Sequence, residues 1–189
     1  VKEVVLPYSG RASYEIEVAG MRRVLPLLQV SEDTWIAYFD SLGDREFISR
    51  CAKLLAEKLA GCDILLTSES KGIPLVHEVA SILGHQRYIV ARKEVKSFMI
   101  NPIVTDCKPV TSRETVKLSV DGRYVKYIEN RNVGIVDDIV STRETMAALE
   151  RLVKLAGGRV YKKAAILLEG AVFDDVEYLG ILPIFKKTV

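Results

Sequence analysis

Gly134-Ile135-Val136-Asp137-Asp138-Ile139-Val140-Ser141-Thr142-Arg143-Glu144-Thr145-Met146 decides the reading of this chain. Small and apolar residues run straight into two adjacent carboxylates, a hydroxyl-rich turn follows, and a helix begins. The helix is predicted over residues 141–156, because Met146, Leu149, Leu152, Val153 and Ala156 share one face and Gly157 and Gly158 stop it. A helix N-terminus presents unpaired backbone N–H groups and the positive end of the helix dipole, which suits a phosphate. Ser141, Thr142 and Thr145 add hydroxyl donors. Two carboxylates beside such a cradle would repel a lone phosphate, but they accept hydrogen bonds from sugar hydroxyls. The pattern therefore calls for a sugar phosphate. Ser141 and Glu144 also match the S-x-x-E spacing of a capping box, a local role compatible with phosphate binding.

Outward from that stretch the chain alternates strands and helices. Residues 44–60 form an amphipathic helix, with Phe47, Cys51, Leu55 and Leu59 recurring every fourth residue beside Ile48 and Leu54. Residues 63–67 read as a buried strand, 73–83 as a second helix, 87–91 and 133–136 as strands, and 160–169 as another strand. Such alternation implies an α/β fold with a parallel sheet covered by helices on both faces. Ligands then bind beyond the carboxyl ends of the strands, which groups 68–74, 91–93 and 137–145. Residues 93–114, polar and broken by Pro102 and Pro109, read as a long irregular segment, either a functional lid or a disordered loop. Residues 114–119 and 123–128 read as a hairpin around Asp121 and Gly122. The first forty residues read as short β segments.

The composition excludes several function classes. The chain has 189 residues, enough for one α/β domain with a sizeable core. A formal net charge of +2 gives no general reason to expect nucleic-acid binding. The three cysteines, Cys51, Cys62 and Cys107, have neither metal-like spacing nor an even count for a disulfide framework, and Cys51 falls on an apolar helix stripe. No stretch reads as a signal peptide or a membrane span, so a cytoplasmic location is the default expectation.

The stretch around Asp137 resembles the motif by which type I phosphoribosyltransferases bind 5-phosphoribosyl-1-pyrophosphate (PRPP). That resemblance implies that Asp137 and Asp138 hold the ribose hydroxyls and that Ile139, Val140, Ser141, Thr142, Arg143, Glu144 and Thr145 line the 5′-phosphate loop. The family usually has glycine where Arg143 and Glu144 stand here, and glycine allows positive φ and close backbone approach. Glu69-Ser70-Lys71-Gly72-Ile73-Pro74 resembles the pyrophosphate loop of the adenine-phosphoribosyltransferase-like group, where a non-proline cis peptide is common. Ser70, Lys71 and Gly72 would then contact pyrophosphate. Val90-Ala91-Arg92-Lys93 resembles a strand ending in a basic pair that grips PRPP, with Arg92 favoured because guanidinium matches phosphate oxygens bidentately. Lys93 and Lys96 would belong to the lid and reach pyrophosphate. In isolation each of these basic residues reads as a surface charge.

The resemblance covers residues 44–170. It implies a single phosphoribosyltransferase-like domain with a core over 41–170, a hood from 1–40 and 171–189, and a lid over 93–114. The implied reaction transfers the phosphoribosyl group of PRPP to a purine base, adenine favoured, releasing pyrophosphate. Asp137, Asp138, Lys71 and Arg92 would form the catalytic set, and magnesium would arrive with PRPP, with Asp137 or Asp138 reaching it through water. A homodimer is implied, with neither nucleic acid nor membrane as partner. Phe173 and Phe185 could stack on a purine, although core packing suits both. His77 and His85 read as structural or surface residues. A rival reading is a non-catalytic PRPP or nucleotide sensor, favoured by Arg143 and Glu144. A third, another sugar-phosphate enzyme, leaves Lys71 and Arg92 unexplained.

Overall fold

The computed structural model describes residues 1–108 and 115–187. The chain begins with five strands: β1 (Lys2–Glu3), β2 (Val5–Tyr8), β3 (Ser13–Val18), β4 (Met21–Ser31) and β5 (Thr34–Ala37). The alternating part follows as α1 (Arg45–Lys58), β6 (Ile64–Ser68), α2 (Gly72–Ile82) and β7 (Ile89–Ala91). After β8 (Ile103–Cys107) and β9 (Val116–Val120) come a 3-10 helix (Gly122–Tyr127), β10 (Asn132–Val140), α3 (Glu144–Leu155) and β11 (Arg159–Glu169). The chain closes with β12 (Ala171–Val172), β13 (Gly180–Leu182) and β14 (Ile184–Lys187).

The expected parallel sheet is present, in the order β13-β11-β10-β6-β7, with every neighbouring pair parallel. Side chains alternate between its faces, as strand geometry requires. Leu65, Val136, Ala164 and Ile166 join a cluster with Phe47, Leu55, Leu75 and Val76 of α1 and α2. Leu66, Ile135, Ala165 and Leu168 turn the other way, onto Met146, Leu149 and Leu152 of α3. Helices therefore cover both faces. Gly134 sits where the sheet meets α1: a methyl there would lie 2.7 Å from Leu65 and 2.8 Å from Cys62. All three cysteines are free and buried.

A second sheet, β2-β14-β5-β4-β3, joins both ends of the chain, because β14 lies between β2 and β5. Phe185 of β14 is fully buried against Tyr14, edge to face at 5.2 Å, and Phe173 is buried in the α3 cluster. Both aromatics are core residues.

The region after β7 differs from the sequence reading. Residues 93–114, expected as irregular, contain β8, which pairs antiparallel with β9. Residues 122–127 form a 3-10 helix instead of the second arm of a hairpin. The reason is local: Asp121 accepts a hydrogen bond from the Arg123 N–H, capping a turn where a strand would need to continue. Residues 109–114 of the expected lid lie outside the described residues.

Candidate functional site

Three segments meet at the carboxyl ends of β6, β7 and β10. β10 runs farther than its apolar residues suggested, carrying Asp137 and Asp138 inside the strand to Val140. Both carboxylates are buried. The Asp138 N–H donates to Asp137 Oδ1 at 2.9 Å, and the Ser41 hydroxyl donates to Asp138 Oδ2 at 3.2 Å. Burial pushes the Asp137 carboxyl up to about 8; the neighbouring Asp138 charge adds to the rise, and Lys71 and the backbone bond oppose it.

Lys71 is the cation facing this pair. Its Nζ lies 3.5 Å from Asp138 Oδ2 and donates to the Phe39 carbonyl at 3.2 Å. The turn that presents it includes a cis peptide bond between Glu69 and Ser70. Gly72 opens α2 beneath the site, where an added methyl would overlap the Thr67 hydroxyl and sit 3.4 Å from Asp137 Oδ1. Glycine is required there by close approach.

The loop after β10 forms a small cup of about 50 Å³ lined by Asp137 and residues 139–146. α3 starts at Glu144, three residues later than expected, and Arg143 takes the N-cap position with φ +66° and no side-chain cap bond. The expected capping box between Ser141 and Glu144 is therefore not formed. The chain keeps the left-handed turn that glycine usually supplies, and builds it with arginine. Its guanidinium turns to Asp175, Nη2 to Oδ2 2.5 Å, and lies 5.1 Å above the Phe173 ring.

Two further cavities adjoin the cup. One, of about 350 Å³, is lined by Ser68, Glu69, Ser70, Lys71, Lys93, Asp137, Asp138 and Thr145. The other, of about 460 Å³, lies between β5 and the loop, with Ile36, Phe39, Lys71, Ile139, Thr142 and Glu169 among its walls. Asp137 and Thr145 are shared by the first two cavities, and Lys71 and Thr145 by the last two. The arrangement is one continuous trough with a phosphate cup, paired carboxylates with a lysine, and a partly apolar end.

No family model matches the chain. Its relatives are nonetheless consistent. It is 29% identical over 136 residues to the adenine phosphoribosyltransferase of Rhodococcus jostii, covering 70% of this chain and 73% of that protein. The crystal structure of adenine phosphoribosyltransferase from Thermoanaerobacter pseudethanolicus superimposes with a TM-score of 0.65 at 20% identity, covering 90% of this chain and 95% of that one. The Giardia lamblia enzyme complexed with 9-deazaadenine gives a TM-score of 0.63 at 15% identity over 89% of this chain and 93% of that one.

The chain has the type I phosphoribosyltransferase fold and is adenine-phosphoribosyltransferase-like in sequence. Within this fold the basic residues after β7 stand apart from the trough, except Lys93. Glu69 gathers them: its Oε1 accepts from the Lys93 N–H at 2.6 Å, and its Oε2 lies 2.8 Å from Arg92 Nε, an ion pair without hydrogen-bond alignment. Arg92 lines a different cavity, of about 460 Å³, with Arg87, Tyr88, Phe98, Arg123 and Tyr124. Lys96 pairs with Glu94 and lines none of the trough cavities. The structure thus brings Asp137, Asp138, Ser70, Lys71, Lys93 and residues 139–145 together, and leaves Arg92 and Lys96 outside, each beside a glutamate.

Three contributors escaped the sequence reading. Ser41 and Glu169 come from segments with no local phosphate-binding pattern, and Glu69, inside the pyrophosphate-loop stretch, has no role of its own in that resemblance. Burial raises the Glu169 carboxyl above its ordinary range, with Lys71 opposing. Only Glu69 carried a signal, its place in the Lys71 turn.

Proposed function

We propose that this chain transfers the phosphoribosyl group of PRPP to a purine base, adenine favoured, and releases pyrophosphate. The carrying observation is the continuity of the trough: a phosphate cup at a helix N-terminus, a buried carboxylate pair and a facing lysine share walls. The 5′-phosphate fits the cup, where the first N–H groups of α3 lack intrahelical partners. The ribose hydroxyls donate to Asp137 and Asp138. Pyrophosphate lies over Ser70, Lys71 and Gly72, near Lys93. The base enters between β5 and Ile139, below the sheet built from both chain ends, which serves as the hood.

As the base ring nitrogen bonds to C1′, the C1′–O bond to pyrophosphate breaks, both bonding electrons leave with pyrophosphate, and the proton displaced from the base passes to a pyrophosphate oxygen or to water. No covalent enzyme intermediate is required. Lys71 offsets charge on the departing group, and the trough fixes the two reactants in line. Among the described residues no group of three or more His, Cys, Asp or Glu could hold a metal ion. Two carboxylates suit magnesium that arrives on substrate oxygens and keeps several waters. When bound, magnesium would neutralise pyrophosphate charge, with Asp137 or Asp138 as its contact to the chain.

Of the two phosphate-loop residues that favour a non-catalytic sensor, Arg143 and Glu144, Arg143 is accommodated by its turn toward Asp175. We extend the proposal to a homodimer, joined at the face around Arg92. Val95, Phe98 and Ile100 are 47%, 61% and 54% exposed there, an apolar group that a second copy would cover. No helix among the described residues is long and apolar enough to cross a membrane.

The test is pyrophosphate release from PRPP with magnesium, across adenine, guanine, hypoxanthine, xanthine and uracil. An Asp137→Asn/Asp138→Asn double variant runs in parallel. Base-dependent release that disappears in the variant is the expected result; no release with any base overturns the assignment.

A further inference from the structure

Arg143 and Asp175 form a connection that the proposed reaction does not itself call for. Arg143 stands at φ +66° and ψ 0° in the turn that shapes the phosphate cup. An arginine there is strained relative to glycine, because its Cβ crowds the neighbouring backbone. The side chain makes two contacts that hold it, the Asp175 carboxylate at 2.5 Å and the Phe173 ring at 5.1 Å.

Asp175 is in turn fixed from behind. Its Oδ2 also accepts from Lys163 Nζ at 2.5 Å, and Lys163 donates to Glu150 Oε1 at 2.8 Å. Lys163 lies on β11 and Glu150 on α3, so the chain of charges Glu150–Lys163–Asp175–Arg143 ties the loop to two core elements. The guanidinium charge is matched by a carboxylate, leaving the cup's backbone N–H groups to meet a phosphate. The guanidinium is paired with Asp175, and Arg143 is one of the residues that line the cup.

We propose that Asp175 is a positioning residue for the 5′-phosphate of PRPP. Through Arg143 it holds the phosphate loop in the conformation that glycine would otherwise supply, and keeps the guanidinium out of the cup. The inference rests on the phosphoribosyltransferase reading. It also gives the turn 173–176, sequence-distant from the PRPP motif, a part in substrate binding.

The experiment measures ribose 5-phosphate and PRPP affinity by calorimetry, together with steady-state kinetics, for wild type and three variants. Asp175→Ala is expected to weaken both ligands about fivefold, the upper end for a lost half-exposed ion pair, while the KM for the base stays put. Arg143→Gly/Asp175→Ala is expected to recover most of that loss, because glycine adopts the turn unaided. Lys163→Met removes the cation that fixes Asp175 from behind and is expected to weaken PRPP binding in the same direction by a smaller factor, with a lower melting temperature. Unchanged or tighter affinity in Asp175→Ala overturns the proposal, as does a double variant no better than the single one. A wild type that binds neither ligand sinks the function reading and this inference together. A wild type that binds both, equally well in Asp175→Ala, sinks this inference alone.

Discussion

Replacing Asp137 by asparagine should stabilise the ligand-free protein while destroying its activity. The Asp137 carboxyl is raised from an ordinary 3.8 to about 8, first by burial and then by the Asp138 charge beside it. Between those values the unfolded chain has released the proton and the folded chain retains it. The folded state thus binds more protons, and this group's contribution to stability falls as pH rises from about 4 through about 8. Each unit of elevation corresponds to about 1.4 kcal/mol, which sets a ceiling of roughly 5 kcal/mol at pH 7.5. Local relaxation and water entry bring the expected gain to about 2 kcal/mol, or about 5 °C in melting temperature for a domain of this size. The amide side chain of the Asp137→Asn variant retains an oxygen to accept the Asp138 N–H, so the substitution removes the charge and keeps the bond. The assay is denaturant unfolding of wild type and Asp137→Asn in parallel from pH 5 to pH 8.5, with PRPP binding measured on the same samples. The stability difference should be small at pH 5 and widen with pH, which separates Asp137 from every group common to both proteins. A difference that is constant with pH, or a variant less stable at pH 7.5, would contradict this account of the carboxylate pair.

Other perturbations test neighbouring parts of the trough. Gly72→Ala drives a methyl into the Thr67 hydroxyl and toward Asp137; it should cost about 1–3 kcal/mol of stability and weaken PRPP binding, whereas a silent substitution would mean the β6–α2 turn tolerates movement. Lys71→Met leaves the buried Asp138 without its cation; kcat should fall by about two orders of magnitude or more, with base KM little changed, as read by pyrophosphate release. Glu169→Gln alters a half-buried carboxyl on the wall of the base end; relative rates across the five bases should shift, and an unchanged ranking would remove Glu169 from base recognition. Light scattering should report a dimer for wild type and weaker association for Phe98→Glu, which places a charge on the exposed apolar face.

The parallel sheet and the PRPP motif are legible in the order of the amino acids. Both are local: a 3.6-residue period marks α1 and α3, apolar runs mark β6 and β10, and the Asp137–Thr145 stretch is contiguous. Boundaries shifted where local signals competed. Asp137 and Asp138 looked like the end of a strand, because carboxylates are seldom buried, yet the sheet carries them inward and Lys71 and Ser41 meet them there. Ser141 and Glu144 fit a capping box, but the loop turns at Arg143, whose guanidinium pairs with Asp175, thirty-two residues away. β8 was hidden in a polar segment because its partner β9 is a separate stretch of the chain and no local period announces such pairing. Where the basic residues point is a property of the folded chain. Lys71 faces the carboxylates, while Arg92 and Lys96, equally basic on paper, are each held by a glutamate. A charge acts on whatever lies within a few ångströms, and only folding fixes which groups those are.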